Sequence, residues 1–180
     1  MLSSFLLGLI VGQLPRNPLK LTGGIDLQAK AATVHYSRSK ASVLFFIATD
    51  CPIANRYAPE IGRIAKDYAT KGVRCYRVYV LDKSHVAEVA QHGKDYSLPM
   101  TAILDPKRSL VKETGVTVTP EVAVVNKLGM MIYRGRIDDQ NVEHGVIRPG
   151  YRHDLRIALD EYLSGKPISM PVTTAIGCFL

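Results

Sequence analysis

Apolar residues cluster from Ala41 to Ala48, recur at three- to four-residue spacing from Ile53 to Tyr68, and alternate with polar ones from Val73 to Leu81. The first block predicts a buried strand. The second predicts a helix over 52–70, with Ile53, Tyr57, Ile61, Ile64 and Tyr68 on its inner face and a kink at Pro59. Gly72 is placed to end that helix, and a second strand follows to Asp82. Ser84 reads as the N-cap of a helix over 85–93, Met100 to Leu104 as a short strand, and 106–115 as a short helix or turn. Val122–Asn126 and Met130–Gly135 flank Lys127-Leu128-Gly129 as a hairpin. A last helix is expected over 153–163, with Leu155, Leu159 and Leu163 inward and Gly165 as its cap. Strands alternating with helices and closed by a hairpin define an α/β protein with a central mixed sheet flanked by helices.

The junction of the first strand and first helix is where chemistry is most concentrated. Pro52 suits the first helical position, because its missing N–H would be unpaired there anyway. Cys51 is then the N-cap, where free N–H groups and the helix dipole favour a thiolate, the nucleophilic and metal-binding form of cysteine. A buried packing cysteine is the plainer alternative. Asp50 opposes ionisation of its neighbour and Arg56 supports it; a turn-forming role fits Asp50 equally well.

Three cysteines allow one disulfide and one free thiol. Cys75 lies within a strand pattern and reads as packing. Cys178 ends a tail with no clear period, where a structural cysteine has little to pack against. It could return to Cys51 as a resolving thiol, or the pair could hold a soft ion such as Cu(I), with His85, His92 or His144 as further donors only by availability. Each of these histidines reads as a solvated side chain. No Cys-x-x-Cys or His-x-x-x-His pair suggests structural zinc, and no cofactor is expected.

Four segments carry a family resemblance: Asp50-Cys51-Pro52-Ile53-Ala54-Asn55-Arg56-Tyr57-Ala58-Pro59-Glu60, Val118-Thr119-Pro120-Glu121-Val122, Tyr133-Arg134-Gly135-Arg136-Ile137-Asp138-Asp139, and Gly177-Cys178. With these, the chain from about 41 to 178 resembles the thioredoxin-like redoxins, the group that holds AhpC/TSA-like and thiol–disulfide proteins. The resemblance implies a thioredoxin-like sandwich and thiol redox chemistry on a disulfide or peroxide. It implies Cys51, Thr119, Pro120 and Cys178 as catalytic residues, and Thr49, Asp50, Arg56 and Arg136 as substrate-binding ones. It also implies a cis Thr119–Pro120 bond, whereas the residues alone fit a trans proline opening an edge strand equally well.

This chain departs from its relatives in several places. Ala54 stands where thioredoxins have a second cysteine, Phe45 where they have a buried carboxylate, and Leu44 where peroxiredoxins have a proline. Copper-binding relatives place a cysteine where Asn55 stands. A soft-metal module using Cys51 and Cys178, or a redox-inert interaction domain, are therefore the rival readings.

At 180 residues, with 47% apolar and 22% charged positions, the chain is sized for one domain. We divide it into an apolar N-terminal segment (1–20), a domain (21–168) and a tail (169–180). The net charge of +7 is scattered without aromatic interleaving, which argues against nucleic acid. Expected partners are a small-molecule or protein thiol or disulfide and an external thiol reductant. Phe5 to Val11 is too short to span a bilayer. It fits a secretory signal in length but lacks the basic start, so an exported or periplasmic location of bacterial type competes with an apolar first element.

Overall fold

The computed structural model describes residues 13–143 and 145–180. The apolar Phe5–Val11 segment and His144 lie outside them. The element order is β1 (Gly24–Ile25), β2 (Ala31–Ala32), β3 (Ala41–Phe46), α1 (Pro52–Ala69), β4 (Val73–Tyr79), α2 (Val86–Asp95) and β5 (Thr101–Leu104). There follow α3 (Ser109–Thr114), β6 (Val118–Thr119), β7 (Glu121–Asn126), β8 (Met131–Gly135), β9 (Asn141–Glu143), β10 (Val146–Ile147), α4 (Asp154–Leu163) and β11 (Cys178–Phe179).

Seven strands form one sheet in the order β2-β1-β5-β4-β3-β7-β8. β3, β4 and β5 run parallel, and β7 lies antiparallel to β3, so the sheet is mixed as the pattern predicts. β3 lies inside the sheet and is buried on both faces, which explains why it is apolar at every position but Ser42. Val43, Phe45 and Ile47 face a layer made by α1, α2 and α4, while Leu44 and Phe46 face the layer closed by Leu110 of α3. Adjacent residues of one strand thus serve two cores, as the two-residue period of a strand requires.

All five predicted inner positions of α1 are buried, and the helix runs unbroken through Pro59. At its C-terminal end Gly72 has φ 87°, a conformation glycine adopts without penalty. Four expectations need correction. The second strand stops at Tyr79, and Asp82 rather than Ser84 caps the next turn, its carboxylate accepting from the Ser84 N–H at 2.8 Å. Leu163 is only partly buried, because the inner stripe of α4 centres on Leu155, Ala158 and Leu159. His92 belongs to the core, not to a wet surface.

The tail is built into the fold. Val172 bridges β8 at Arg134, and β11 pairs with β6. Gly135 (φ 142°) permits the first contact, since a Cβ there would stand 2.2 Å from the Thr173 carbonyl oxygen.

Candidate active site

β3 delivers the chain to the 47–50 turn, and Pro52 starts α1, leaving Cys51 as an extended N-cap (φ −86°, ψ 111°). The Cys51 carbonyl accepts the first helical bond from Asn55 N–H at 3.0 Å, while its side chain caps nothing and is free for other contacts. Its Sγ lies 3.2 Å from the Thr119 carbonyl oxygen and 2.7 Å from Cys178 Sγ. The Thr119–Pro120 bond is cis. Three places widely separated in sequence therefore meet: Cys51, Thr119–Pro120 and Cys178.

β11 brings Cys178 there. Cys178 registers opposite Thr119 and Phe179 opposite Val118, and Leu180 N–H donates to the Thr117 carbonyl at 3.1 Å. The receiving edge is itself held by Glu121, whose carboxylate accepts from Thr117 N–H at 2.8 Å and Val118 N–H at 3.3 Å. Contact with Cys51, and to a lesser degree burial, pushes the Cys178 thiol up to about 11, so at neutral pH it keeps its proton. Burial pushes Cys75 up to about 12. That third thiol lines an open groove of about 990 Å³ beside α1 that does not include Cys51.

Two polar networks flank the sulfur pair. In the first, Asn55 Nδ2 donates to the Thr49 carbonyl at 2.9 Å, and Asn55 Oδ1 lies 2.8 Å from His92 Nε2. The other nitrogen of His92 sits 2.9 Å from the Tyr79 hydroxyl, which accepts from Arg77 Nη1 at 3.3 Å. Arg77 is buried, and its other acceptors are the Met100 and Val89 carbonyls. Burial first and the Arg77 cation second lower the pKa of His92, which favours a neutral ring. This chain of contacts ties the turn before Cys51 to the core. In the second network the Tyr57 hydroxyl donates to Asp138 and accepts from Asn141 Nδ2 at 2.7 Å, and Arg56 donates to Asn141. Burial raises the Asp138 pKa, and the Tyr57 hydrogen bond opposes that rise.

The expected substrate-binding residues divide. Thr49 and Asp50 are in the turn before Cys51; the Thr49 hydroxyl donates to Glu88, and the charge of Asp50 helps keep Cys178 protonated. Arg56 is engaged by Asn141. Arg136 is held by Asp154 at 2.7 Å and lines a small cleft with Pro120, Tyr57, Asp138 and Ile176. Phe45 is fully buried in the α1-side core. Sequence reasoning missed His92, Asn55 and the Tyr57–Asp138–Asn141 cluster as partners of the site. Asn55 and Asp138 stand inside the motifs that carry the resemblance; nothing in the sequence marks His92 as buried.

For the soft-metal alternative, the two sulfurs converge. Among the described residues, however, no group of three or more His, Cys, Asp or Glu side chains surrounds a point where a metal could sit.

A mixed sheet with a cysteine at the first helix N-terminus, facing a prolyl turn, defines a thioredoxin-like α/β protein. A family model described as Redoxin matches residues 22–146, and the chain belongs to that family. Similar solved structures include a hypothetical protein from Sinorhizobium meliloti (24% identity, TM-score 0.74, 93% of this chain and 96% of that one). An uncharacterized conserved protein from Geobacillus kaustophilus is similar at 23% identity and TM-score 0.73, covering 90% of each chain. A secreted disulfide oxidoreductase of Mycobacterium tuberculosis shares the fold at 19% identity and TM-score 0.52, over 62% of this chain and 80% of that one. No curated protein matched the chain.

Proposed function

We propose that this protein carries out thiol redox chemistry, with Cys51 as the attacking sulfur and Cys178 as the resolving one. The observation that carries this reading is the 2.7 Å approach of the two sulfurs at the end of α1. Membership of the Redoxin family supports it, as does the likeness to a secreted disulfide oxidoreductase.

With a disulfide R–S–S–R′, the Cys51 thiolate attacks one sulfur. A Cys51–S–S–R bond forms, and R′S⁻ leaves and takes a proton. Cys178, after losing its proton, attacks the Cys51 sulfur and expels R–S⁻. The two protein thiols are oxidised to one disulfide while the substrate is reduced to two thiols. With a hydroperoxide, Cys51 becomes a sulfenic acid and the peroxide an alcohol; condensation with Cys178 then releases water. Two equivalents of an external thiol, or one dithiol, restore the Cys51 and Cys178 thiols and leave as a disulfide.

Mild oxidation followed by peptide mapping tests the reading. A Cys51–Cys178 disulfide is expected, and Cys178→Ser should accumulate one mixed disulfide or sulfenic acid per chain, on Cys51. If Cys51→Ser consumes oxidant as fast as the unaltered chain, the assignment is wrong. Anaerobic Cu(I) titration separates the metal alternative, which requires tight one-to-one binding lost in both Cys51→Ser and Cys178→Ser. A chain that shows neither behaviour is the redox-inert interaction domain.

A further inference from the structure

Strand β11 covers the sulfur it is expected to resolve. Its residues take the ladder positions beside Val118–Thr119, and beneath it Cys51 is only 2% exposed. On its outer side Phe179 is 87% exposed. A disulfide carried on another protein cannot reach Cys51 while this strand is seated.

The seat is selective. A Cβ at Gly177 would stand 2.2 Å from the Thr119 carbonyl oxygen, 2.6 Å from its carbon and 3.1 Å from the Pro120 nitrogen. These are backbone atoms of a turn pinned by Glu121, so they cannot swing aside as a flexible side chain would. The residue before the cysteine must therefore lack a side chain, while the residue after it faces solvent and is unrestricted. β11 is also the kind of element that opens locally, since it pairs through two residues where β3 and β7 pair through six.

Resting on the redox reading above, we propose that β11 is a removable strand that holds the place of a partner's strand. The partner is an extended segment whose disulfide-bonded cysteine follows a glycine, and which pairs antiparallel with Val118–Thr119 once residues 177–180 lift away. Cys51 then attacks the partner cysteine's sulfur. A bond forms between them, and the sulfur formerly attached to that cysteine leaves as a thiol. When the partner strand departs and β11 returns, Cys178 attacks the Cys51 sulfur, and the partner cysteine leaves as a thiol. Each of the two leaving thiolates takes up one of the two protons lost by Cys51 and Cys178.

The test uses the full chain carrying Cys75→Ser and Cys178→Ser, in which Cys51 is the one remaining thiol. Three probes carry thionitrobenzoate on cysteine: free cysteine, an Ala-Gly-Cys-Ala peptide and an Ala-Val-Cys-Ala peptide, with release followed by absorbance. The glycine peptide should react about tenfold or more faster than the valine peptide, because the valine side chain overpacks the seat. Adding Gly177→Val, or independently Leu180→Pro to remove the Thr117 contact, should loosen β11 and raise the glycine-peptide rate about tenfold. Equal rates for the two peptides, or no gain in either loosened variant, overturn the proposal. Failure of Cys51 to react even with the free-cysteine probe would instead overturn the redox reading beneath it.

Discussion

In the mechanism we propose, resolution requires Cys178 to lose a proton that its surroundings hold tightly. Its pKa of about 11 comes first from contact with Cys51, so Cys51→Ala should bring it back toward the ordinary thiol range near about 8.5. Alkylation of Cys178 at pH 8, followed by mass spectrometry, should then speed up by about tenfold or more. His92 supplies a second, opposite dependence. Burial and Arg77 depress its pKa in the fold, so the unfolded chain binds the extra proton between that depressed value and about 6.5. Stability attributable to His92 is therefore complete above about pH 6.5 and is lost as pH falls through the folded pKa. Urea midpoints at pH 7 and pH 5 should show a smaller acid loss in His92→Gln than in the unaltered chain. Asp138, whose pKa is raised, acts with the opposite sign, and the comparison between the two chains cancels it.

At the scale of elements, two helical glycines separate propensity from packing. Gly62 lies inside α1, where an added methyl would meet only the Ser97 carbonyl oxygen, at 3.5 Å, so Gly62→Ala should stabilise by about 0.5–1 kcal/mol. Gly93 lies inside α2, where the same methyl would fall 1.9 Å from Arg77 Nη1. Gly93→Ala should therefore destabilise by about 1–3 kcal/mol despite its better helix propensity, as read from denaturant midpoints. The elements legible in the sequence are those long enough to show a period. The five inner residues of α1 and the doubly buried β3 announce themselves, and Cys51-Pro52 marks the helix start to the residue. β1, β2, β6 and β11 have two residues each, too few for any alternation to register. His92, on α2, escapes a sequence reading because its burial depends on Arg77 and Tyr79 of strand β4, which local pattern does not report.

For the whole molecule, joining Cys51 to Cys178 would tie positions 127 residues apart. On the chain-entropy model, closing so long a loop restrains the unfolded state by up to about 4–5 kcal/mol. The oxidised form should accordingly have the higher urea midpoint. A more stable disulfide means a lower reduction potential, which would make the protein a donor of electrons rather than a strong oxidant. A reversed order of midpoints would assign it the opposite direction. That the tail crosses the fold at all is legible in the sequence only as a cysteine with no packing partner. Its route depends on Gly135 and Gly177, each allowing backbone to approach backbone. Before reaching β6, the tail hydrogen-bonds the outer side of β8, with Arg134 N–H donating to the Pro171 carbonyl at 2.9 Å and Thr173 N–H to the Arg134 carbonyl at 3.0 Å. The same segment thereby caps an otherwise open sheet margin, which is a common starting point for strand-to-strand aggregation. A chain cut after Met170 should self-associate in a concentration-dependent way by light scattering, so proteolytic nicking near that point would convert a redox protein into an aggregation seed.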